Sequence, residues 1–389
     1  MNIAIFTNNY LPNPYGVTGS VESFRKEFEK RGHAVFIFAP RFPEYVDRNP
    51  NVFRYPAIET NFKFRFPLAI PYSFRIHKIL KDLEIDIIHA QHPNLLGSAA
   101  ARWARKFTRR RGGKKVPLVF TWHTLYDHYA HFAKFVPKKL AAGYMIKKAA
   151  RYANQADAVV VPTDSIIPIL RKWGVTNKNI IPVATGVIEE EFENPDREVI
   201  RKKYNISNEN IVLILITRLT AEKNIEFLFR AVKDILKKNK NIKFILGGGG
   251  YLLPEIEKLA REENISAQVI LPGVIARNEL KNYFAAGDIL VDASLSETQG
   301  MHLSEGMYCG LPVVAVNATG IKSLVVNNGN GFLVKEDEKE FAAAVEKLIA
   351  DANLRRRFAE VSRKIARAQF TSGVCAEKML AVYQNCLNS

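Results

Sequence analysis

Glu297 and Glu305 stand eight residues apart in Ser296-Glu-Thr-Gln-Gly-Met-His-Leu-Ser-Glu305, between the apolar run 289–292 and a second one that starts at Val313. If Gly300 opens a helix, Glu305 falls within its first two turns. Glu297 then stays on the loop at the carboxyl end of the preceding strand. One ligand can touch both carboxylates there, and the amides from Thr298 to Leu303 at a helix start suit a phosphate. Such a site fits a ligand carrying both hydroxyls and phosphates. The alternative is that Glu297 merely starts the helix while Glu305 lies on a solvated face.

A second group sits farther upstream, where Ile211-Val-Leu-Ile-Leu-Ile-Thr217 runs into Arg218-Leu-Thr-Ala-Glu-Lys223. Arg218 can fork onto a phosphate and Lys223 can act as a point charge, so the two can neutralise a diphosphate leaving group without a metal. Read otherwise, they are surface pairs, Arg218 with Glu222 or Lys223 with Glu226. Gly247–Gly250 follows the next apolar run and lacks both the Walker lysine and the spaced glycines of a dinucleotide fingerprint. Near the N-terminus, the turn ending in Gly16-Val-Thr-Gly19 can present amides to a phosphate or sugar, or can be purely structural. His123, in Thr121-Trp-His-Thr, reads as another strand-end residue, with a catalytic or sugar-contacting role set against simple packing.

These residues need elements to hold them. A chain of 389 residues exceeds one ordinary core and predicts two domains. Short apolar runs alternate with amphipathic stretches, which predicts β-α-β units and parallel sheets. The expected strands are 3–6, 34–38, 85–89, 118–121, 158–161 and 180–183, then 211–217, 243–246, 268–271, 289–292, 313–316 and 331–334. The fold class is α/β, two doubly wound Rossmann-like domains facing a central cleft. The expected division is 1–188, 189–365 and a C-terminal helical segment 366–389 that packs back on the first domain, with the polar run 189–197 as linker. The opening residues read as a first strand rather than a signal peptide, and no run is long enough to span a membrane. Cys309, Cys375 and Cys386 are unpatterned for metal or disulfides, which fits a reducing cytoplasm and gives no metal ligand.

Charge is divided unevenly. Residues 1–186 hold 29 Lys and Arg against 12 Asp and Glu, which accounts for the whole net charge of +17. Within 101–150 there are 13 basic residues and one acidic residue, Asp127. Such a field draws a polyanion or an anionic membrane surface. No nucleic-acid-binding module accompanies it, so nucleic acid is not the expected partner. Arg102, Arg105, Lys106, Arg109 and Arg110, with Arg111, alternate with Trp103 and Phe107; Lys138, Lys139, Lys147 and Lys148 alternate with Tyr144, Met145 and Ile146. On helices these blocks predict an interfacial surface, to which the aromatic-basic run 62–74 adds a loop. Ordinary amphipathic packing with snorkelling lysines is the competing reading.

Together the N-terminal glycine turn, His123-Thr, Arg218-Leu followed by Glu222-Lys223, and the Glu297/Glu305 pair resemble the family 4 retaining glycosyltransferases of the GT-B fold, in the right order and over essentially the whole chain. The resemblance implies an enzyme, a hexosyltransferase whose C-terminal domain holds a UDP- or GDP-sugar and whose N-terminal domain receives the acceptor. It implies that Arg218 and Lys223 hold the diphosphate and Glu305 the ribose. Glu297 with Thr298, Gln299, Gly300 and Met301 would hold the sugar, Gly16 would approach the phosphate, and His123 would lie beside the sugar. No metal cofactor is expected. Segments 66–73, 123–129 and 296–300 are similar to the bacterial diacylglycerol glucosyltransferases in particular. This implies glucose as the sugar, a lipid hydroxyl as acceptor, and a cytoplasmic enzyme held peripherally on the inner face of the cell membrane. Gly16-Val17, Asp127 and Glu189 depart from the motifs at their positions. A GDP-mannose-dependent mannosyltransferase is the runner-up, and a sugar-nucleotide epimerase or a nucleic-acid-binding protein are the readings from other classes.

Overall fold

The computed structural model describes residues 1–13, 16–59, 67–110, 112–126 and 138–389, with Lys138 and Lys139 described by backbone alone. The chain divides into two compact units, Met1–Gly186 with Ser372–Ser389, and Val187–Thr371.

The first unit is built on β1 (Asn2–Phe6), β2 (Ala34–Pro40), β3 (Val52–Tyr55), β4 (Ala57–Ile58), β5 (Leu68–Ala69), β6 (Ile87–Ala90), β7 (Leu118–Thr121), β8 (Ala158–Val161) and β9 (Ile180–Pro182). Seven of these form one parallel sheet in the order β3-β2-β1-β6-β7-β8-β9, and β4 and β5 pair as a separate antiparallel hairpin. Strands β6, β7 and β8 are buried at every position. This is why they read as unbroken apolar runs rather than alternating ones: helices cover both faces. The covering helices are α1 (Gly16–Lys30), α2 (Phe74–Asp82), α3 (Leu96–Arg110), α4 (Lys138–Ala153) and α5 (Ile167–Lys172). The chain's last helix, Ser372–Asn388, also belongs here. It buries Cys375, Met379, Val382, Tyr383 and Cys386, spaced as one helical stripe, against α1 and the sheet. Tyr383 hydrogen-bonds His89 Nδ1 at 2.6 Å, and Ser372 Oγ donates to Glu27 at 3.0 Å.

The second unit contains β10 (Ile211–Ile216), β11 (Ile242–Gly247), β12 (Val269–Ile270), β13 (Ile289–Asp292), β14 (Val313–Val316) and β15 (Gly331–Val334). All are parallel, in the order β12-β11-β10-β13-β14-β15, so the sequence of strands reverses between β10 and β13. Its helices are α6 (Arg197–Lys203), α7 (Ile225–Lys238), α8 (Leu253–Glu262), α9 (Leu280–Ala286), α10 (Met301–Tyr308), α11 (Glu338–Ala350) and α12 (Ala352–Gln369). Asp196, Asp337 and Asp351 accept amide hydrogen bonds at the starts of α6, α11 and α12, which fixes where those helices begin.

The chain passes between units at 186/187 and again at 371/372. Run 189–197 is therefore structured rather than a free linker. Val187 donates to Phe370 O at 2.7 Å, and Glu189–Glu191 forms a short 3-10 turn. Residues 366–371 stay with the second unit. Edge strand β3 and the β4–β5 hairpin had no signal in the sequence pattern, because they are short and interrupted by Arg54 and Pro56.

Candidate active site

Neighbouring strands β10 and β13 feed loops that must diverge, since the chain continues to opposite sides of the sheet from each. A reversal of this kind opens a crevice at the carboxyl ends of parallel strands. The β10 loop carries Arg218 and Lys223, then turns through Asn224 at φ 54° into α7. The β13 loop carries Glu297. Lys223 Nζ donates to Glu297 Oε1, with only 10% and 11% of the two side chains exposed. Ser296 Oγ donates to the Glu222 carbonyl at 3.1 Å, joining the loops a second time.

Two glycine requirements hold this geometry. The Gly320 amide donates to Glu297 O at 3.0 Å, and a Cβ at Gly320 would stand 2.5 Å from that same oxygen. After β11, a Cβ at Gly250 would meet Leu219 O at 2.1 Å. The glycine run therefore packs on the backbone of the Arg218 loop and supports it.

Gly300, at φ 82°, turns the chain into α10. Glu305 lies in the second turn and is buried, while at the helix opening the Leu303 amide donates to Gly300 O at 2.9 Å and only the first two amides, of Met301 and His302, precede any intrahelical carbonyl. Arg277, on the short turn before α9, is ion-paired to Glu305 and donates to Glu191 at 2.7 Å. Burial works against the Arg277 charge, but Glu305 and Glu191 outweigh it and raise its pKa.

Arg218 forms a 3.4 Å ion pair with Glu222. That is the competing pair considered from sequence, but Glu222 is buried, and neither of its carboxylate oxygens accepts a hydrogen bond among the described residues. Both cations are thus already matched with carboxylates. A diphosphate would meet a charge-balanced cluster, and would have to take over these cations.

Beneath Glu297, His302 Nε2 hydrogen-bonds Asp292 Oδ2 at 2.7 Å, and Ser294 N donates to Asp292 Oδ1 at 2.7 Å. Burial disfavours the imidazolium, but the charge and hydrogen bond of Asp292, with help from Glu297, raise the His302 pKa. Burial would likewise raise the Glu297 pKa; the charges of Lys223 and His302, the Lys223 hydrogen bond and Arg218 lower it instead. Asp292, Glu297 and His302 offer ligand atoms within 4.8 Å of one another. The Lys223 ammonium lies on Glu297 in the same space.

In the first unit, His123 follows β7 and hydrogen-bonds Gln91 Oε1 at 2.7 Å through Nε2. Burial, with the neighbouring His92 and His89, pushes its pKa down to about 3, so it is neutral at physiological pH. With Gln91 accepting, Nε2 carries the proton. Gly16 is the exposed first residue of α1.

The basic blocks divide. Trp103 and Phe107 are buried core residues of α3, so the aromatic members of that block do not face outward as expected. Arg105, Arg109 and Arg110 are exposed on α3, and Lys147 and Lys148 are exposed on α4 beside Leu140 and Tyr144. Arg111, Asp127 and most of the 62–74 and 134–148 runs' leading residues lie outside the described residues, as do the side chains of Lys138 and Lys139. No helix among the described residues is long and apolar enough to cross a membrane.

Asp292, His302, Arg277 and Gly320 were not singled out from sequence. His302 had a signal, being one helical turn from Glu305 in the same motif. Arg277 and Gly320 act through partners far away in the chain.

Residues 196–365 match the family described as Glycosyl transferases group 1, and residues 14–191 match Glycosyltransferase Family 4. The alpha-monoglucosyldiacylglycerol synthase of Streptococcus pneumoniae is 30% identical over 369 residues, 91% of this chain and 80% of that protein. The GDP-mannose-dependent alpha-mannosyltransferase of Corynebacterium glutamicum is 25% identical over 360 residues, 90% and 81% of the two chains. Among solved structures, Anabaena Alr3699/HepE in complex with UDP and glucose matches with a TM-score of 0.76 at 18% identity, over 99% of this chain and 100% of that one. The sucrose-phosphate synthase of Thermosynechococcus elongatus matches with a TM-score of 0.79 at 19% identity over 100% of both. With two doubly wound parallel sheets and these relatives, the chain belongs to the family 4 glycosyltransferases and has their GT-B fold.

Proposed function

We propose that this enzyme transfers glucose from UDP-glucose, with retention at the anomeric carbon, to the hydroxyl of a membrane lipid such as diacylglycerol. The observation that carries the donor half is the Lys223–Glu297 pair beside the start of α10, at the strand reversal of the second unit. The name of the Streptococcus pneumoniae relative, together with the exposed lysines of α4, supports the lipid acceptor.

On this reading the diphosphate draws Lys223 and Arg218 away from their carboxylates and also meets the amides that open α10. Those groups stabilise the charge that grows on the leaving phosphate, which is the main barrier a protein can lower here. Glu297, released from Lys223, turns to the sugar hydroxyls, and Glu305, steadied by Arg277, takes the ribose. The bond from the anomeric carbon to the phosphate oxygen breaks, its electron pair leaving with the nucleoside diphosphate. The acceptor oxygen bonds to the same face, and its proton passes to the departing phosphate. In the first unit, neutral His123, held by Gln91, is assigned to the sugar and Gly16, at the start of α1, to the phosphate. The first unit receives the acceptor and rests on the inner face of the cell membrane through its basic helices. No metal is assigned a part.

Transfer of labelled sugar from UDP-glucose, UDP-galactose, UDP-N-acetylglucosamine and GDP-mannose into vesicles containing diacylglycerol tests this. Labelled glycolipid from UDP-glucose is the expected result. The similarity to the Corynebacterium glutamicum protein makes GDP-mannose the second donor to examine, and product from it alone would replace glucose with mannose.

A further inference from the structure

Glu222 is the middle residue of the short turn Ala221–Lys223 that joins β10 to α7. Its side chain is 2% exposed, and both carboxylate oxygens are buried without a hydrogen-bond partner among the described residues. Buried polar groups are nearly always bonded, so an orphaned carboxylate calls for a physical reason. Thr220 Oγ1, two residues earlier on the same loop, is buried and unbonded as well and gives it no help. Among the described residues the ion-pair partner of Glu222 is Arg218, with Nη2 at 3.4 Å and no hydrogen bond formed between them.

The two members of this pair differ in freedom. Glu222 is held by its backbone: Lys223 N donates to Thr220 O at 3.0 Å, Asn224 N to Ala221 O at 2.9 Å, and Ala221 N to the Tyr251 hydroxyl at 2.9 Å. The Glu222 carbonyl in turn accepts from Ser296 Oγ at 3.1 Å. Arg218 is 34% exposed and carries its charge on a long stem, so the cation is the part that can move. Each time it moves away, a buried carboxylate loses its counter-charge, which is a costly state.

We propose that Glu222 is a positioning residue that draws Arg218 back from the diphosphate after transfer and so promotes release of the nucleoside diphosphate, an inference that rests on the reading of Arg218 as a diphosphate ligand given above. Once the acceptor's proton has passed on to water, the departed diphosphate carries one more negative charge than it did in the donor, and Arg218 holds it more strongly. A fixed carboxylate behind the arginine opposes that grip without touching either nucleotide. Release of product limits turnover in many enzymes, and this is the step such an arrangement speeds.

Titration calorimetry with UDP, and separately with GDP, on the full-length wild type, Glu222→Gln, Glu222→Met, Arg218→Met and the double variant Glu222→Gln/Arg218→Met tests this. Both Glu222 variants should bind UDP about tenfold more tightly than the wild type, and with Arg218 replaced the Glu222→Gln change should alter affinity by less than about twofold. In steady-state transfer, UDP should inhibit the Glu222 variants more strongly, and their KM for the sugar nucleotide should fall rather than rise. Denaturant melts confirm folding, and one polar and one apolar replacement guard against a variant that fails to fold. Unchanged or weaker UDP binding by the folded Glu222 variants overturns the role of Glu222 while leaving the diphosphate site in place. A gain in affinity that persists without Arg218 overturns it too, since Glu222 would then act directly on the nucleotide. If neither the wild type nor any variant binds UDP or GDP, the diphosphate reading of the second unit falls, and this role of Glu222 falls with it.

Discussion

Arg277 bridges Glu305 and Glu191, residues 28 positions downstream and 86 upstream of it in the chain. Glu305 is almost fully buried, with 6% of its side chain exposed, whereas Arg277 is 40% exposed. The arginine therefore fixes the carboxylate from the solvent side without being sealed in. Arg277→Ala should raise the KM for the nucleotide sugar about tenfold and change kcat much less, because in its proposed role Glu305 holds ground state and transition state alike. Steady-state kinetics separates the two parameters; an equal fall in kcat would place Arg277 in the chemical step.

The Lys223–Glu297 pair predicts non-additive losses. Lys223→Ala leaves a buried carboxylate without its partner, which in comparable sites costs about 3–5 kcal/mol of stability, and should lower turnover by at least about a hundredfold. Lys223→Met with Glu297→Gln removes both charges and should recover most of the stability but none of the activity. Denaturant melts and turnover of the wild type, Lys223→Met, Glu297→Gln and the double variant check it.

His302 supplies a pH dependence of definite sign. Its folded pKa is raised by Asp292 and Glu297 against the pull of burial. Its contribution to stability is complete below the unfolded value near about 6.5 and is lost as pH rises through the raised folded value. If the imidazolium also sets the charge beneath Glu297, kcat/KM should decline as pH rises through that raised folded value, and His302→Gln should flatten that limb. Glu297 behaves oppositely. Its depressed pKa contributes stability above the normal carboxylate range that disappears as the solution is acidified through the folded value. His123, with a pKa near 3, should contribute no limb near neutrality.

His123 and Gln91 should act as one unit. Gln91→Ala leaves the imidazole without the acceptor that fixes its tautomer and should reproduce part of the loss seen in His123→Ala. Both variants together should be little worse than His123→Ala alone. Transfer rates for the three proteins decide this, and simple multiplication of the single losses would separate the residues.

Much of the sheet architecture was readable because parallel strands buried on both faces leave unbroken apolar runs such as Ala158–Val161 and Val313–Val316. The Glu297/Glu305 spacing was legible because a glycine-opened helix maps eight residues onto one loop and two turns. Arg277 and Gly320 were not, since one finds its carboxylates far along the chain and the other matters only for the oxygen its missing Cβ would strike. Trp103 shows the opposite error: a row of arginines and lysines concealed that α3 turns its aromatic residues inward.

The last helix has a consequence for synthesis. Residues 187–371 are made between the two portions of the first unit, so the ribosome releases a complete second unit while the first still lacks the stripe from Cys375 to Cys386. Until that final helix arrives, the apolar face of α1 around Phe24 and Phe28 has no cover from it, and the nascent N-terminal half must wait for its closing piece. A stop codon placed at Ser372 would thus injure residues encoded more than three hundred codons earlier, and leave the nearer domain whole.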